Sequence, residues 1–194
     1  MPVILENGFK NPIAGETFRC ISFTPEAFTV DWQVDPRGYV PFEHIHLNQD
    51  EIFYVRSGEL RILIDGFEYI VTEGMRIRVP KGMPHIAFNN KNELLHCTVE
   101  MKPGLDNYKF FQCFGGLTID EEYSSNGTVN IPKMLYFTKK MRAQCITRPV
   151  KIPAPFFYFS INLFYVVGYL LGWKKYYLKY TGENQREELS GHIQ

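Results

Sequence analysis

The sequence lacks a net charge, a dense set of cysteines and a recognisable secretion signal. It has 194 residues with 21 basic and 21 acidic side chains. A neutral chain gives no electrostatic reason to expect a nucleic acid or an anionic membrane as a partner. The four cysteines form no CxxC pair, and the N-terminus has no basic start before an apolar run. We therefore expect a reduced, cytoplasmic protein.

Short β segments dominate the first half of the chain. From about residue 17 to residue 101, nine runs rich in Ile, Val, Phe and Tyr follow one another, with turn residues such as Asp65-Gly66 between them. No helical pattern interrupts them, which favours an antiparallel sandwich or a small barrel. We predict a β domain over residues 1–103 that includes N-terminal lead-in strands.

Residues 104–194 have the pattern of a helical extension packed on that domain or in a dimer interface. Helical segments are predicted near residues 105–117 and 131–145, and residues 152–173 carry no charge. In that run Pro155 suits a helix start and Gly172 a helix end, which leaves about 17 helical residues. A membrane span needs ~20 apolar residues. We therefore weigh a membrane span against a covering or interface helix, and favour the second.

Apolar surface is the basis for an expected homodimer. An exposed face as large as the one predicted for residues 152–173 is unusual on a soluble monomer. Ile86 and Phe88 are also predicted to point outward from their strand and to need cover. We expect a homodimer, with neither a nucleic acid nor a membrane as partner.

Two of the five histidines lie in the stretch GYVPFEHIHLNQDEIFYVRSG, residues 38–58. On a strand His44 and His46 point to the same face, and a hairpin can place the carboxylate of Glu51 opposite them. Such a set suits Fe(II), Mn(II), Ni(II), Cu(II) or Zn(II). The alternative is a polar surface strand. A second stretch, GMRIRVPKGMPHIAFN, supplies His85 as a possible fourth ligand.

The two stretches match spaced motifs. The first fits G(X)5HXH(X)4E(X)6G and the second fits G(X)5PXG(X)2H(X)3N, with 15 residues between them. They resemble the two signature motifs of the cupin superfamily, and the resemblance covers about residues 17–101. It implies a small antiparallel jelly-roll β-barrel. It also implies one divalent metal (Fe, Mn, Ni, Cu or Zn) inside the barrel, with these ligands: His44, His46, Glu51 and His85.

Strand alternation predicts a mostly apolar pocket around those ligands. Its predicted lining residues are Val40, Phe42, Phe53, Val55, Ala87 and Asn89. Such a site suits a small organic molecule with an apolar or aromatic body better than a free sugar. The alternative is that the large apolar side chains merely fill the barrel.

His96 and Glu100 are weaker candidates for a catalytic base. They share one face of the segment ELLHCTVEM, and either could act beside the metal if that face looked inward. The opposite face, with Leu95, Cys97 and Val99, is the better core face and would leave His96 exposed.

Two classes of function are compatible with these features. The first is a metal-dependent enzyme, dioxygenase- or isomerase-like, that acts on a small apolar molecule, since four protein ligands leave open positions on an octahedral ion. The second is a non-catalytic module that binds or senses a small ligand. The barrel fold does not decide between them, because one fold hosts many functions.

Overall fold

The structure is a computed structural model that describes residue 3 and residues 5–183. The last residues of the predicted 104–194 extension, from 184 onward, lie outside the described residues. The described β-strands are β1 Phe9–Asn11, β2 Glu16–Phe23, β3 Phe28–Val34, β4 His44–His46, β5 Asp50–Ser57, β6 Glu59–Ile64, β7 Phe67–Thr72, β8 Arg76–Val79, β9 His85–Phe88, β10 Leu95–Lys102 and β11 Thr147–Pro149. The described α-helices are α1 Asn107–Ile119, α2 Ile131–Lys140, α3 Ala154–Leu170 and α4 Lys174–Thr181.

The strands form two antiparallel sheets. One sheet has the order β1-β2-β3-β10-β5-β8 and the other has the order β11-β4-β9-β6-β7. Strands adjacent in space are mostly distant in sequence, as β5 and β10 are, so the chain crosses repeatedly between the sheets. The predicted fold class is confirmed: the protein is mainly β, with a jelly-roll barrel and a helical extension.

Local sequence explains why the strands form where they do. Asp65 and Gly66 both have positive φ, +50° and +80°, as a type I′ turn requires, and they join β6 to β7 with Ile64 opposite Phe67. In β6 the side chains alternate between buried and half-buried. The inward side chains of both sheets meet in one apolar core. Among its fully buried members are Phe28, Trp32, Leu60, Ile62, Leu95 and Cys97.

The extension is not entirely helical. Residues 147–149 form β11, which pairs with β4 so that Thr147 lies opposite His46. The sequence pattern did not predict this strand, because three residues carry too little periodicity. The division of the chain at residues 103 and 104 stays a prediction, but β11 shows that the extension contributes to a barrel sheet.

A second apolar core lies between helices α1, α2 and α4. It contains close contacts between aromatic rings and glycine. A Cβ atom at Gly116 of α1 would lie 2.3 Å from the ring of Tyr180 in α4, so only glycine permits this approach. Tyr180 and Phe137 of α2 also meet edge to face, with ring centroids 5.9 Å apart. Helices α1, α2 and α4 therefore pack as one unit.

Helix α3 packs on α2 with only one of its sides. Phe157 and Ile161 are buried against Leu135 of α2, but much of the remaining helix surface is exposed. Its place in a dimer interface stays a prediction. Among the described residues no single helix is long and apolar enough to cross a membrane. Helices α3 and α4 meet that description only as a pair bent by 96°.

Candidate metal centre

Three strands from the two sheets supply the candidate ligands. Strand β4 carries His44 and His46, and it pairs with β9 so that His44 lies opposite His85. Glu51 lies on β5 of the other sheet. The four side chains therefore meet between the sheets, inside the barrel.

The four side chains converge on one point. Each offers a nitrogen or oxygen atom, and these atoms all lie within 4.8 Å of one another. Oε2 of Glu51 is 2.9 Å from Nε2 of His85 and 3.4 Å from Nε2 of His46. The imidazole of His44 lies 4.3 Å from that of His85 between ring centroids. This spacing brings together the ligand set that the motifs imply.

Backbone carbonyls orient two of the imidazoles. Nδ1 of His44 is 3.1 Å from the carbonyl oxygen of Phe42, and Nδ1 of His85 is 3.0 Å from that of Met83. A carbonyl only accepts, so in each case Nδ1 carries the proton and donates it. The other nitrogen, Nε2, is then the atom that can ligate a metal when it carries no proton.

His46 is oriented by the extension. Its Nδ1 lies 3.1 Å from the hydroxyl oxygen of Thr147 on β11. Its Nε2 is buried and has no hydrogen-bond partner within the described part of the chain. A buried polar atom without a partner requires a physical explanation. A cation bound among these nitrogen and carboxylate donors provides one, so the residues fit a divalent metal ion.

The electrostatics of the cluster favour a cation. Burial alone would raise the pKa of Glu51, but the neighbouring imidazoles of His46 and His85 outweigh it and hold the pKa well below the usual range. Glu51 is therefore a carboxylate. Burial, together with the neighbouring imidazoles, lowers the pKa of His44 far below its usual value and keeps this ring neutral.

The pKa of His85 is shifted upward, opposite to that of His44. Burial tends to lower its pKa, but the hydrogen bond and charge of Glu51 outweigh this and raise the pKa. A proton on His85 thus occupies a place beside Glu51 that a metal ion can take instead. Metal binding at this site would displace any proton that Nε2 of His85 shares with Glu51.

A cavity of about 310 Å³ adjoins the cluster. The four candidate ligands are part of its wall, as are four of the six predicted pocket residues: Val40, Phe42, Phe53 and Ala87. The helices supply the rest of an apolar lining that the sequence analysis did not foresee. These residues include Phe110, Phe111, Phe114, Leu135, Phe157 and Phe164. The cavity therefore lies between the barrel and its extension.

Two predicted pocket residues do not line this cavity. Val55 is 2 % exposed and packs in the barrel core. Asn89 has a structural role, because its side-chain nitrogen donates to the backbone oxygens of Val34, Asp35 and Glu93 at 2.7–3.1 Å. Strand alternation identified their face correctly, but it could not show how far along the strand the cavity extends.

His96 and Glu100 lie on the other face of β10, away from the cavity. His96 forms a hydrogen bond with Asp31, and Glu100 accepts one from the hydroxyl of Tyr54 at 3.0 Å and pairs with Lys102 at 2.9 Å. Their alternate neighbours in β10 are the buried ones. This geometry gives the hypothesis of a catalytic base no support.

Glu16 is a cavity residue that the sequence analysis missed. It is 2 % exposed, lines the cavity and accepts a hydrogen bond from Nε1 of Trp32 at 3.1 Å. Burial raises its pKa to about 8, and the charge of Glu51 adds to the effect, although the Trp32 bond works against it. Glu16 is therefore mostly protonated at neutral pH. Glu16 and Phe18 are two residues apart on β2, so their side chains point to the same face, and both line the cavity. This spacing is the sequence signal that could have identified Glu16 as a pocket residue.

Comparison with known families agrees with this geometry. A family model for the cupin domain matches residues 30–100, a range that contains all four candidate ligands. The chain carries a cupin domain. The matched residues carry both of the motifs that resemble the cupin signatures. No curated protein sequence matches the chain.

Several solved structures are similar to part of the chain. KdgF from Halomonas sp. is 21% identical over 48% of this chain and 84% of its own, with a TM-score of 0.44. An RmlC-like cupin from Shewanella frigidimarina is 21% identical over 49% and 82%, with a TM-score of 0.45. A sugar phosphate isomerase from Silicibacter pomeroyi is 19% identical over 46% and 60%, with a TM-score of 0.43. At such levels of similarity no activity can be transferred.

Proposed function

We propose that this cupin is a metal-dependent enzyme, dioxygenase- or isomerase-like, that acts on a small and largely apolar organic molecule. One observation carries the proposal: three imidazoles and a carboxylate converge at the wall of an apolar cavity. A purely structural metal site would be closed by its ligands, whereas this one borders a space that a substrate can enter.

The donor set suits one divalent transition metal: Fe, Mn, Ni, Cu or Zn. The ion would be held by His44, His46, Glu51 and His85. When bound, it would supply a Lewis acid that polarises a carbonyl, or a centre that activates O2.

The chain's own residues define what the pocket can do. Phenylalanines from both the barrel and the helices line the same cavity as the ligand cluster. An apolar lining lowers the local dielectric constant and strengthens electrostatic interactions inside. Glu16 holds a proton within the same cavity. A neutral carboxyl in such a place can donate a hydrogen bond to a substrate oxygen or exchange a proton with it.

The shape of the cavity indicates the kind of substrate. Its charged and titratable groups lie in the barrel, at the ligand cluster and at Glu16. The part between α1, α2 and α3 is mostly apolar, and its polar lining residues are Asn107, Thr138 and Ser160. A molecule with one oxygen-bearing end and an aromatic or aliphatic body satisfies both parts. A free sugar would leave its hydroxyl groups without partners among the phenylalanines.

The alternative function is a non-catalytic module that binds or senses a small ligand. The observation that favours it is the cover provided by the extension, because Phe157, Ser160 and Phe164 of α3 form part of the cavity wall. A ligand enclosed in this way would leave slowly, as a retained ligand does.

Cobalt-substituted protein distinguishes the two functions. We would load the chain with Co(II), whose visible absorption reports its coordination, and titrate it with phenylacetate, decanoate and glucose. The proposal expects the spectrum to change with the two apolar carboxylates and not with glucose. The His85→Ala variant, loaded under the same conditions, should show no such response.

A different result would contradict the enzyme proposal. An unresponsive cobalt spectrum, together with a small molecule released only when the purified protein is denatured in organic solvent, would indicate the binding module. Mass spectrometry of that extract identifies the ligand. A parent chain that retains no cobalt at all would exclude both the metal and the enzyme.

The homodimer and the cytoplasmic location stay predictions. Ile86 and Phe88, which suggested part of the dimer surface, are half-buried on the outer side of β9. We propose that this sheet surface pairs two copies of the chain. Light scattering that gave a monomer mass at micromolar concentration would contradict it.

A further inference from the structure

Helix α3 presents a continuous apolar stripe to the solvent. The stripe recurs every three or four residues, so its members lie on one side of the helix. They are between 44% and 76% exposed. We call these five residues the outer stripe: Phe156, Phe159, Leu163, Val166 and Leu170.

The opposite side of α3 is already occupied. Phe157, Ile161 and Gly168 are buried against the protein, and a Cβ atom at Gly168 would lie 2.4 Å from the ring of Tyr136. The helix therefore cannot rotate to bury the outer stripe within its own chain. An exposed apolar patch of this kind marks an interaction surface.

The sequence segment that contains α3 is strongly positive, although the whole chain is neutral. Residues 123–182 contain nine Lys and Arg and no Asp or Glu. With 21 of each class in the chain, the remaining residues contain 12 basic and 21 acidic ones. The neutral total thus conceals an excess of nine positive charges on one segment and of nine negative charges on the rest.

Basic side chains lie at both ends of α3. Lys151 precedes the helix, Lys174 and Lys175 follow it, and all three are exposed. Within the described residues no carboxylate forms an ion pair with any of them. By contrast, Lys133 and Lys179 in the same basic segment do have carboxylate partners. The positive charge at the ends of α3 is therefore available to an external partner.

We propose that the outer stripe of α3 docks this protein on the surface of an anionic lipid bilayer. The helix would lie in the plane of the interface, with its apolar side chains among the upper acyl chains and its terminal lysines at the headgroups. Tyr158 and Tyr169, which are 46% and 73% exposed, suit the same depth because tyrosine favours the membrane–water boundary. The proposal does not depend on the metal site.

A second copy of the chain is a poorer occupant of this surface. A twofold interface brings each patch against itself. It would therefore place the basic ends of one α3 close to the basic ends of the other, with no acidic residue in the segment to offset the repulsion. A nucleic acid would satisfy the lysines, but its phosphates would leave the outer stripe exposed.

Flotation with lipid vesicles tests the proposal. The full chain is mixed with vesicles of phosphatidylcholine alone, or with 30 mol% phosphatidylserine, at roughly physiological salt. The paired substitution Phe159→Asp and Val166→Asp alters the outer stripe. Its matched control is Phe67→Asp, because Phe67 is 69% exposed but lies on β7 of the barrel. Lys151→Gln with Lys175→Gln tests the charge, and Lys81→Gln with Lys91→Gln is the control for it.

The proposal expects the parent chain to float with the phosphatidylserine vesicles and more weakly with phosphatidylcholine alone. The outer-stripe variant should lose binding, and each lysine neutralised at α3 should weaken it by about fivefold. The two controls should bind as the parent does, and circular dichroism should show every variant folded.

Two outcomes would overturn the proposal. One is the absence of binding to the phosphatidylserine vesicles, or equal binding by the outer-stripe variant. The other is a dimer, measured by sedimentation, that the outer-stripe variant dissociates and that does not bind vesicles. In the second case a second copy of the chain occupies the stripe.

Discussion

The barrel and its helical extension depart from the usual distribution of side chains in opposite ways. The barrel buries polar groups: His46, Glu51 and His85 are each less than 8% exposed, and Glu16 is 2% exposed. The extension exposes apolar groups, with Phe156 and Leu170 at 67% and 76%.

The buried polar groups of the barrel and the exposed apolar groups of the extension both cost stability in the isolated chain. The interaction that offsets this cost is different in the two regions. A buried charged cluster requires a compensating charge, which a bound cation supplies from within. An exposed apolar stripe requires a covering surface, which must come from outside. The comparison indicates an internal ligand for the barrel and an external partner for the extension.

The largest effect should come from removing the only carboxylate of the cluster. We expect Glu51→Gln to weaken divalent metal binding by more than ~100-fold, because changing groups that merely support metal ligands already costs about 10–100-fold. Calorimetric titration with Mn(II) and Zn(II) measures the dissociation constant of each metal. Glu100→Gln, on the opposite face of the neighbouring strand β10, should leave the affinity unchanged. An equal loss in both variants would show that the barrel has no localised site.

Gly116→Ala should destabilise the extension and spare the cluster. The added methyl group would overlap the ring of Tyr180, and overpacking of this kind costs about 1–3 kcal/mol. Thermal unfolding followed by circular dichroism measures the loss, with Ile119→Ala, 59% exposed on the same helix, as control. Metal affinity of the folded variant should not change, since the contact between Gly116 and Tyr180 involves neither the four ligands nor β11. A lost affinity would contradict this separation of the two regions.

Thr147 is the point at which the extension contacts the cluster. Thr147→Val keeps the size of the side chain but removes the hydroxyl beside Nδ1 of His46. We expect metal affinity to fall by about tenfold, as it does when other supporting groups are lost. Thr29→Val, a threonine of β3 in the other sheet, is the control. An unchanged affinity would mean that His46 needs no support from β11.

A separate prediction concerns Glu16 and pH. Its pKa rises from 4.5 to about 8 on folding, because burial penalises the charged form. Between those values the folded state binds more protons than the unfolded state. The stability that protonated Glu16 contributes is therefore complete below pH 4.5, and it is lost as pH rises towards 8.

Tryptophan fluorescence gives a local readout of this titration. Trp32 donates a hydrogen bond to Glu16 and is one of only two tryptophans in the chain. Its emission should change with a midpoint near pH 8, and Glu16→Gln should abolish the change while Trp173 provides a constant background. A midpoint below pH 6 would show that Glu16 is charged at neutral pH.

Most of the barrel was predictable from sequence because its signals are local. All nine predicted strands are present, and Asp65-Gly66 forms the hairpin turn that its residues favour. The metal motif was predictable for the same reason, since spacing on strands fixes which faces His44 and His46 share. Helix α3 has the predicted length of 17 residues.

The features that sequence analysis missed depend on contacts between distant segments. Strands β1 and β11 are three residues long and exist only through their partners, and the role of Glu16 depends on where β2 lies relative to the cavity. The net charge of zero argued against an anionic membrane, but it averaged two oppositely charged regions. Counting charge by structural region corrects that argument.

Elemental analysis of the protein, purified without added metal or chelator, tests the metal centre most directly. His44→Ala and His85→Ala are measured beside the parent, with His96→Ala as a control from outside the cavity. The account predicts close to one equivalent of Fe, Mn, Ni, Cu or Zn in the parent and in the control, and its loss in both ligand variants. A parent chain that neither retains nor rebinds any of these metals would contradict the account.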